Sequence, residues 1–251
     1  MIKMNSIKLK QKLEKKYPYR IELHAHTRPH SWCGEAEPLE LVKIYAEKGY
    51  DGVVITNHFM SNCGEKEYLR GETKEEKLEY YLSAFETAKK AGKELGVNVY
   101  LGIEIRFAKE NENDYLIYGA DENVVSVCYD NFFEDLEYFR KNVSLPKSVF
   151  LQAHPFRDGI TPAKPELLDG VETFNMHPGH NSRVGFSCRF AKENNLNIRT
   201  AGSDFHHINR SHEGVSALRT RVLPKDSFHL AEILKKGDYL FEIGETAIVL
   251  L

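Results

Sequence analysis

His24-Ala25-His26 sets two imidazoles two residues apart, and neutral imidazole is the commonest nitrogen ligand for zinc and related divalent metals. The surrounding stretch, Arg20 to His30 (RIELHAHTRPH), begins as a strand and ends as a loop. On a strand, residues i and i+2 point to the same side. Taken alone, the motif suits a chelating pair and two partly buried histidines equally well. Further metal-capable residues recur where later strands run out: His58, Glu104, His154, Asp204 and His206. Asp204-x-His206 repeats the spacing of His24-x-His26 at the far end of the chain. Core packing does not call for such side chains at one end of strand after strand. Unpaired buried carboxylates are also costly unless a cation neutralises them. The pattern predicts a metal centre.

The elements that must position these residues can be read from periodicity. Gly52 to Thr56 (GVVIT) is a continuous β-branched run, the signature of a strand buried on both faces. Strands are also expected at Asn98 to Ile105, Tyr115 to Gly119, Ser148 to Ala153, Gly170 to Phe174 and Asn197 to Ala201, with two more near 217–223 and 239–243. Helical spacing marks Pro38 to Lys48, a long stretch from about Glu75 to Leu95 closed by Gly96, Asn131 to Lys141, Arg183 to Asn194 and Ser227 to Lys235. Strand, polar loop and helix recur about seven times without a linker. That alternation implies a parallel sheet covered by helices, and the repeat count favours a barrel over a doubly wound open sheet. In a closed barrel the first and last strands are neighbours, and strand ends converge on one mouth.

Hydrophobic residues at 41% and charged residues at 28% suit one globular domain spanning 1–251. Residues 1–19 read as an amphipathic helix, with Ile7, Leu9 and Leu13 near one face, packed outside the barrel. A net charge of −3 with interspersed signs argues against long nucleic acid or an anionic membrane as partner. Cys33, Cys63, Cys128 and Cys188 are scattered, which excludes a Cys-x-x-Cys zinc ribbon and suits a reducing cytoplasm. No apolar run is long enough to span a bilayer.

Five segments in order, Glu22-Leu23-His24-Ala25-His26-Thr27, Thr56-Asn57-His58, Gly102-Ile103-Glu104, Ala153-His154-Pro155 and Gly202-Ser203-Asp204-Phe205-His206, give the chain a resemblance to the polymerase and histidinol phosphatase (PHP) family of metal-dependent phosphoesterases. The resemblance implies an α/β fold, a distorted seven-stranded (β/α) TIM-like barrel holding two or three divalent ions such as zinc, manganese or iron. It implies that His24, His26 and Asp204 hold a first metal, with Glu104 bridging to a second that His154 completes. His58 and His206 would hold a third, with His30 as the best further ligand and Glu35 a weaker one. The Ser-Asp-Gly of many relatives reads Trp32-Cys33-Gly34 here. A second-metal histidine common in relatives is also missing near the fourth strand, where Asp114 could supply a carboxylate instead. A harder oxygen ligand would tilt that position toward manganese or iron.

The chemistry implied is hydrolysis of a small phosphorylated substrate, a phosphomonoester as in histidinol phosphatases, by a metal-bound hydroxide held by Glu104 and Asp204. Arg28, Arg106 and Arg157 each fall within a few residues of a proposed ligand and could fork onto phosphate oxygens or pair structurally with acids. His177 and His180 could orient substrate or protonate a leaving group. Glu172 is expected to hydrogen-bond a ligand imidazole, while Trp32 and Phe59 could wall the pocket. His207, His212 and His229 read as surface residues. Alternatives are a phosphodiesterase or short-oligonucleotide exonuclease of the same family, a non-catalytic metal-binding regulatory module, and a metal-dependent amidohydrolase on a similar barrel.

Overall fold

The computed structural model describes residues 6–110, 112–208, 215–244 and 247–249. His212 lies outside them. Helix α1 (Ser6–Lys16) leads into strand β1 (Tyr19–Ala25), followed by α2 (Pro38–Glu47), β2 (Gly52–Ile55), the two-residue β3 (His58–Phe59) and the long α3 (Lys74–Leu95). Next come β4 (Asn98–Ile105), β5 (Tyr115–Tyr118), α4 (Glu122–Asn131), α5 (Leu136–Asn142), β6 (Val149–Gln152) and β7 (Gly170–Asn175). The chain continues through α6 (Val184–Glu193), β8 (Ile198–Gly202), β9 (Ser216–Thr220), α7 (Ser227–Lys236), β10 (Tyr239–Ile243) and β11 (Ala247–Val249).

The sheet runs β11-β10-β9-β1-β2-β4-β5-β6-β7-β8, with β3 added beside β4. It is a curled, open half-barrel and not the closed seven-stranded parallel barrel expected. Two departures account for this. Strand β5 runs antiparallel to both β4 and β6, because residues 106–114 are too few for the crossover that a parallel neighbour requires. Strand β9 pairs antiparallel with the first half of β1, Tyr19 to Ile21, occupying the edge where β8 would close the ring. Only at the mouth do the first and eighth strands meet. There Ala25 bridges Phe205, through His26 N to Phe205 O at 3.0 Å and Phe205 N to His24 O at 3.1 Å.

Packing follows the alternation of the strands. Ile21, Leu23, Val54, Tyr100, Leu116, Leu151, Ala201 and Leu218 form one cluster with Leu230 and Leu234 of α7, which crosses β4, β5, β6 and β8. A second cluster joins the other face of β4 and β5 (Ile103, Ile105, Tyr115, Ile117) to α3, α4 and α5. Phe59 belongs here, fully buried with its ring edge-on to Tyr81 and Phe132, so it does not wall a pocket. The expected helix at 131–141 is α5, which begins only at Leu136; α4, a helix not expected from the sequence, ends at Asn131, and Asp121 and Asp135 cap the two. Ile7 and Leu9 of α1 stay exposed, and Leu13 is half-buried.

Helix α3 shows how local sequence fixes an element that supports the mouth. Thr73 Oγ1 accepts from Glu76 N at 3.2 Å while Glu76 Oε2 accepts from Thr73 N at 3.1 Å, a reciprocal N-terminal cap. Gly96, at φ +75°, ends the helix in the left-handed region. Tyr81, on its buried face, donates to Asn57 O at 2.7 Å and so pins the turn that carries His58.

Candidate metal centre

Glu104, at the end of β4, is fully buried and lies at the centre of the cluster. His24 Nε2 is 3.3 Å from its Oε1 and His154 Nε2 3.2 Å, while His26 Nε2 and His58 Nδ1 are 3.3 and 2.8 Å from its Oε2. Asp204 Oδ1 faces the same imidazoles, 3.4 Å from both His24 Nε2 and His26 Nε2, and 3.3 Å from His206 Nδ1. Seven residues from five parts of the chain thus converge: His24, His26, His58, Glu104, His154, Asp204 and His206. Ligand-capable atoms of His24, His26 and Asp204 lie within 4.8 Å of one another, as do those of His26, His58 and His206, and those of His58, Glu104 and Asp114.

The backbone is bent to aim these groups. His154 and Asp204 adopt φ of +29° and +51°, the left-handed region that non-glycine residues avoid. Pairing of β1 with β2 shifts register between Glu22 and Ala25. Glu22 consequently turns to Tyr45 of α2, accepting from its hydroxyl at 3.0 Å, whereas His24 meets Glu104. Burial pushes the Glu22 carboxyl up to about 7, against the hydrogen bonds donated by Ser203 N and His24 N. Gly202 permits the close approach of the strands, since a Cβ there would lie 2.4 Å from His24 Cβ and 2.5 Å from Glu172 Oε1.

A supporting layer holds the imidazoles. Glu172 Oε1 accepts from His24 Nδ1 at 2.9 Å, the interaction expected of it, and its Oε2 accepts from His154 N at 3.1 Å and Asn175 Nδ2 at 3.0 Å. Asn175 also reaches Asp204 Oδ2 at 3.1 Å. Ser31 Oγ sits 3.1 Å from His26 Nδ1 and accepts from His58 N at 2.9 Å. These contacts leave His24 Nε2, His26 Nε2, His58 Nδ1, His154 Nδ1 and Glu104 Oε2 buried with no hydrogen-bond partner. Orphaned buried polar atoms cost roughly 1–3 kcal/mol each. Several of them facing shared carboxylates form a donor set that divalent cations fit.

The electrostatics agree. Burial opposes ionisation of Glu104, yet the facing His58 and His24 outweigh it and hold the carboxyl well below its usual range. Asp204 is likewise held down by His24 and His206 against burial. Burial, with His58, lowers His26 to about 4, leaving it a neutral nitrogen donor.

The remaining expected residues divide. Asp114 reaches the mouth because β5 runs antiparallel, so the residue before that strand lies at the same end as residues after the others. Both its oxygens accept from Arg106, Nε at 2.7 Å and Nη2 at 2.8 Å, and Arg157 Nη2 lies 3.7 Å from Oδ2. His177 stacks on His180 at 4.0 Å and approaches His206 at 5.3 Å, both between ring centroids. His30 turns away: its Nε2 bonds Ser83 Oγ of α3 at 2.8 Å, its ring stacks on Tyr80, and it joins none of the three ligand sets. Glu35 pairs with His207 Nδ1 at 2.9 Å, which draws His207 into the rim as a half-buried residue. Arg28 forms an exposed ion pair with Glu37 at 3.1 Å, and Trp32 is exposed.

Sequence reasoning missed Ser31, Asn175 and Cys33. Burial raises the Cys33 thiol, but His58 and His206 outweigh burial and bring it down to about 6. Its place in the loop that follows the His-x-His strand was the available signal.

Known structures share this architecture. A two-domain protein from Bacteroides vulgatus ATCC 8482, described as containing a predicted PHP-like metal-dependent phosphoesterase, superposes with a TM-score of 0.54 at 15% identity. The match covers 90% of this chain but 65% of that one. PsfC from Pseudomonas syringae PB-5123 superposes with a TM-score of 0.52 at 13% identity, covering 80% of each chain. At such identities the likeness concerns the fold. No curated protein matches the chain. The PHP domain family, however, matches residues 22–168, a span that begins just before His24 and takes in His58, Glu104 and His154. The chain belongs to the PHP domain family.

Proposed function

We propose that this protein is a metal-dependent phosphoesterase acting on small phosphomonoesters. The observation that carries the reading is the set of partnerless buried atoms, His24 Nε2, His26 Nε2, His58 Nδ1 and Glu104 Oε2, turned on two ionised carboxylates. Bound divalent ions there would neutralise phosphate oxygens and bring the pKa of water toward neutrality. Two positions suit them: His24, His26, Glu104 and Asp204 around one, and His58 with His206 around the other. His154 with Asp114 suits a third less well, because Arg106 engages both Asp114 oxygens and a dication would face two guanidinium groups.

The chain's own residues supply the rest. Asp114 locks the Arg106 fork in place, and Arg157 sits beside it, so two cations flank the cluster where a phosphate dianion would need charge. His180 is exposed, its pKa lowered by the protein packed beside it and by Arg157. With His177 stacked on it, it is placed to hydrogen-bond a leaving-group oxygen and hand it a proton. The mouth, rimmed by exposed pairs such as Arg28–Glu37, suits a small substrate better than a nucleic-acid track.

Metal-loaded protein screened against phosphorylated metabolites and short oligonucleotides tests this. Release of inorganic phosphate from monoesters is expected, and Asp204→Ala and His26→Ala should each abolish it while retaining the native circular dichroism. Activity on oligonucleotides alone would transfer the assignment to a nuclease. Full activity in either variant would refute the site.

A further inference from the structure

Strand β5 pairs antiparallel with β4 in a register that sets Glu104 opposite Leu116 and Ile105 opposite Tyr115. One step further along both segments Arg106 faces Asp114, a cross-strand pair of opposite charge. The pair closes as a fork, with Arg106 Nε and Nη2 donating to Asp114 Oδ1 and Oδ2 at 2.7 and 2.8 Å. Asp114 is fully buried and is held from its other side by β6, since its backbone O accepts from Ala153 N at 3.0 Å. Arg106 is anchored in turn by its own N, which donates to Phe59 O at 3.1 Å.

This fork lies where metal-capable donors meet. His154 Nε2 is 3.2 Å from Glu104 Oε1 and 3.9 Å from Asp114 Oδ2, and Asp114 presents an oxygen within 4.8 Å of ligand atoms of His58 and Glu104. Two buried carboxylates beside an imidazole call for a cation, and here the chain itself brings one. With both Asp114 oxygens taken by Arg106, and Arg157 Nη2 3.7 Å from Oδ2, a metal ion on Asp114 would have to break the fork or sit against two guanidinium groups. The donor set does not fit an ion while Arg106 is in place.

We propose that the Arg106 guanidinium is the resident cation of this position, so that the centre takes two metal ions and Asp114 is a positioning residue, not a ligand. Its charge does not depend on metal supply or on pH in the working range. The fork and a bond from Nη1 to Glu112 Oε2 at 3.2 Å use one N–H of each terminal nitrogen, which leaves one on each for an oxygen of a substrate anion. This assignment rests on the metal-centre reading of the cluster, but not on which phosphoester is the substrate.

Manganese, which suits a position rich in carboxylate oxygens, is the probe. Bound ions are counted by elemental analysis after equilibrium dialysis of the full chain at saturating manganese. Two per chain are expected in the parent and in Asp114→Asn. Arg106→Ala is expected to bind one more, because Asp114 then faces Glu104 and His154 as an unpaired buried carboxylate, and the double variant with Asp114→Asn is expected to lose that extra ion again. A merely structural fork would give no gain in Arg106→Ala, and that result would overturn the proposal. Three ions in the parent, with one lost in Asp114→Asn, would make Asp114 a ligand and would also overturn it, while leaving the metal centre standing. No bound manganese or zinc in the parent would instead overturn the metal centre itself. Should Arg106→Ala fold poorly, Asp114→Asn decides alone: the parent's count retained supports a positioning role, and one ion fewer refutes it.

Discussion

Glu104 faces four imidazoles, and two of them depend on a carboxylate one layer back. Glu172 contacts both His24 Nδ1 and the His154 backbone, so it fixes the ring whose Nε2 faces Glu104 and the strained turn that carries His154. Glu172→Gln keeps the shape but removes the charge that makes the His24 ring a strong donor. Metal affinity measured by competition with a chelating dye should fall about 10- to 100-fold, with the circular dichroism unchanged; an unchanged affinity would show that Glu172 is only a packing residue. Cysteine reactivity separates along the same physical lines. Burial alone raises the Cys128 thiol far above its ordinary range, whereas Cys63 is exposed. A disulfide-exchange reagent at pH 8 should therefore label Cys63 rapidly and Cys128 only on unfolding.

Individual elements explain what was legible in the sequence and what was not. The seven central residues could be read because each follows a hydrophobic run that reads as a strand whatever its neighbours. Strand direction could not: Tyr115 to Tyr118 looks the same parallel or antiparallel, and only the short connection from β4 hinted at reversal. The seam was misjudged for a related reason. Periodicity does not show that Ser216 to Thr220 returns antiparallel and takes the lower edge of β1, so backbone pairing between β1 and the segment after β8 is left to the Ala25–Phe205 bridge. Side-chain direction was lost at the β1 register shift, where Glu22 and His24 share parity but reach different neighbours. His30 was misplaced because the loop closes through Glu35 and His206, which turns His30 toward α3. Two substitutions test these devices. Gly202→Ala forces a methyl against His24 and Glu172, both buried, and should lower metal stoichiometry as well as the melting temperature. Thr73→Ala removes the α3 cap, a cost of about 1 kcal/mol in denaturant unfolding, and should leave metal content unchanged because the cap's hydrogen bonds join Thr73 to Glu76 and reach no residue of the cluster.

At the scale of the whole molecule, the open half-barrel makes the candidate metal centre a structural joint. Its candidate ligands come from the ends of β1, β4, β6 and β8 and from β3, so the fold must hold these ends together across a seam bridged at one residue pair. It does so while burying two ionised carboxylates and several partnerless nitrogens, an arrangement that weak hydrogen bonds to imidazole compensate only in part. Ions that bind the folded chain and not the unfolded one then add RT ln(1 + [L]/Kd), about 2.7 kcal/mol at a free concentration of 100 Kd. Saturation with zinc or manganese is therefore expected to raise the melting temperature by several degrees, and chelation to reverse the shift. The protection should be local too. Amide hydrogen exchange should slow most at His26 and Phe205, whose N–H groups form the seam, and much less in α1 and in β10, which lie away from the ligands. A uniform slowing would instead mean that the ions act on global stability alone. No slowing at the seam would mean that the two strand ends are held together without them.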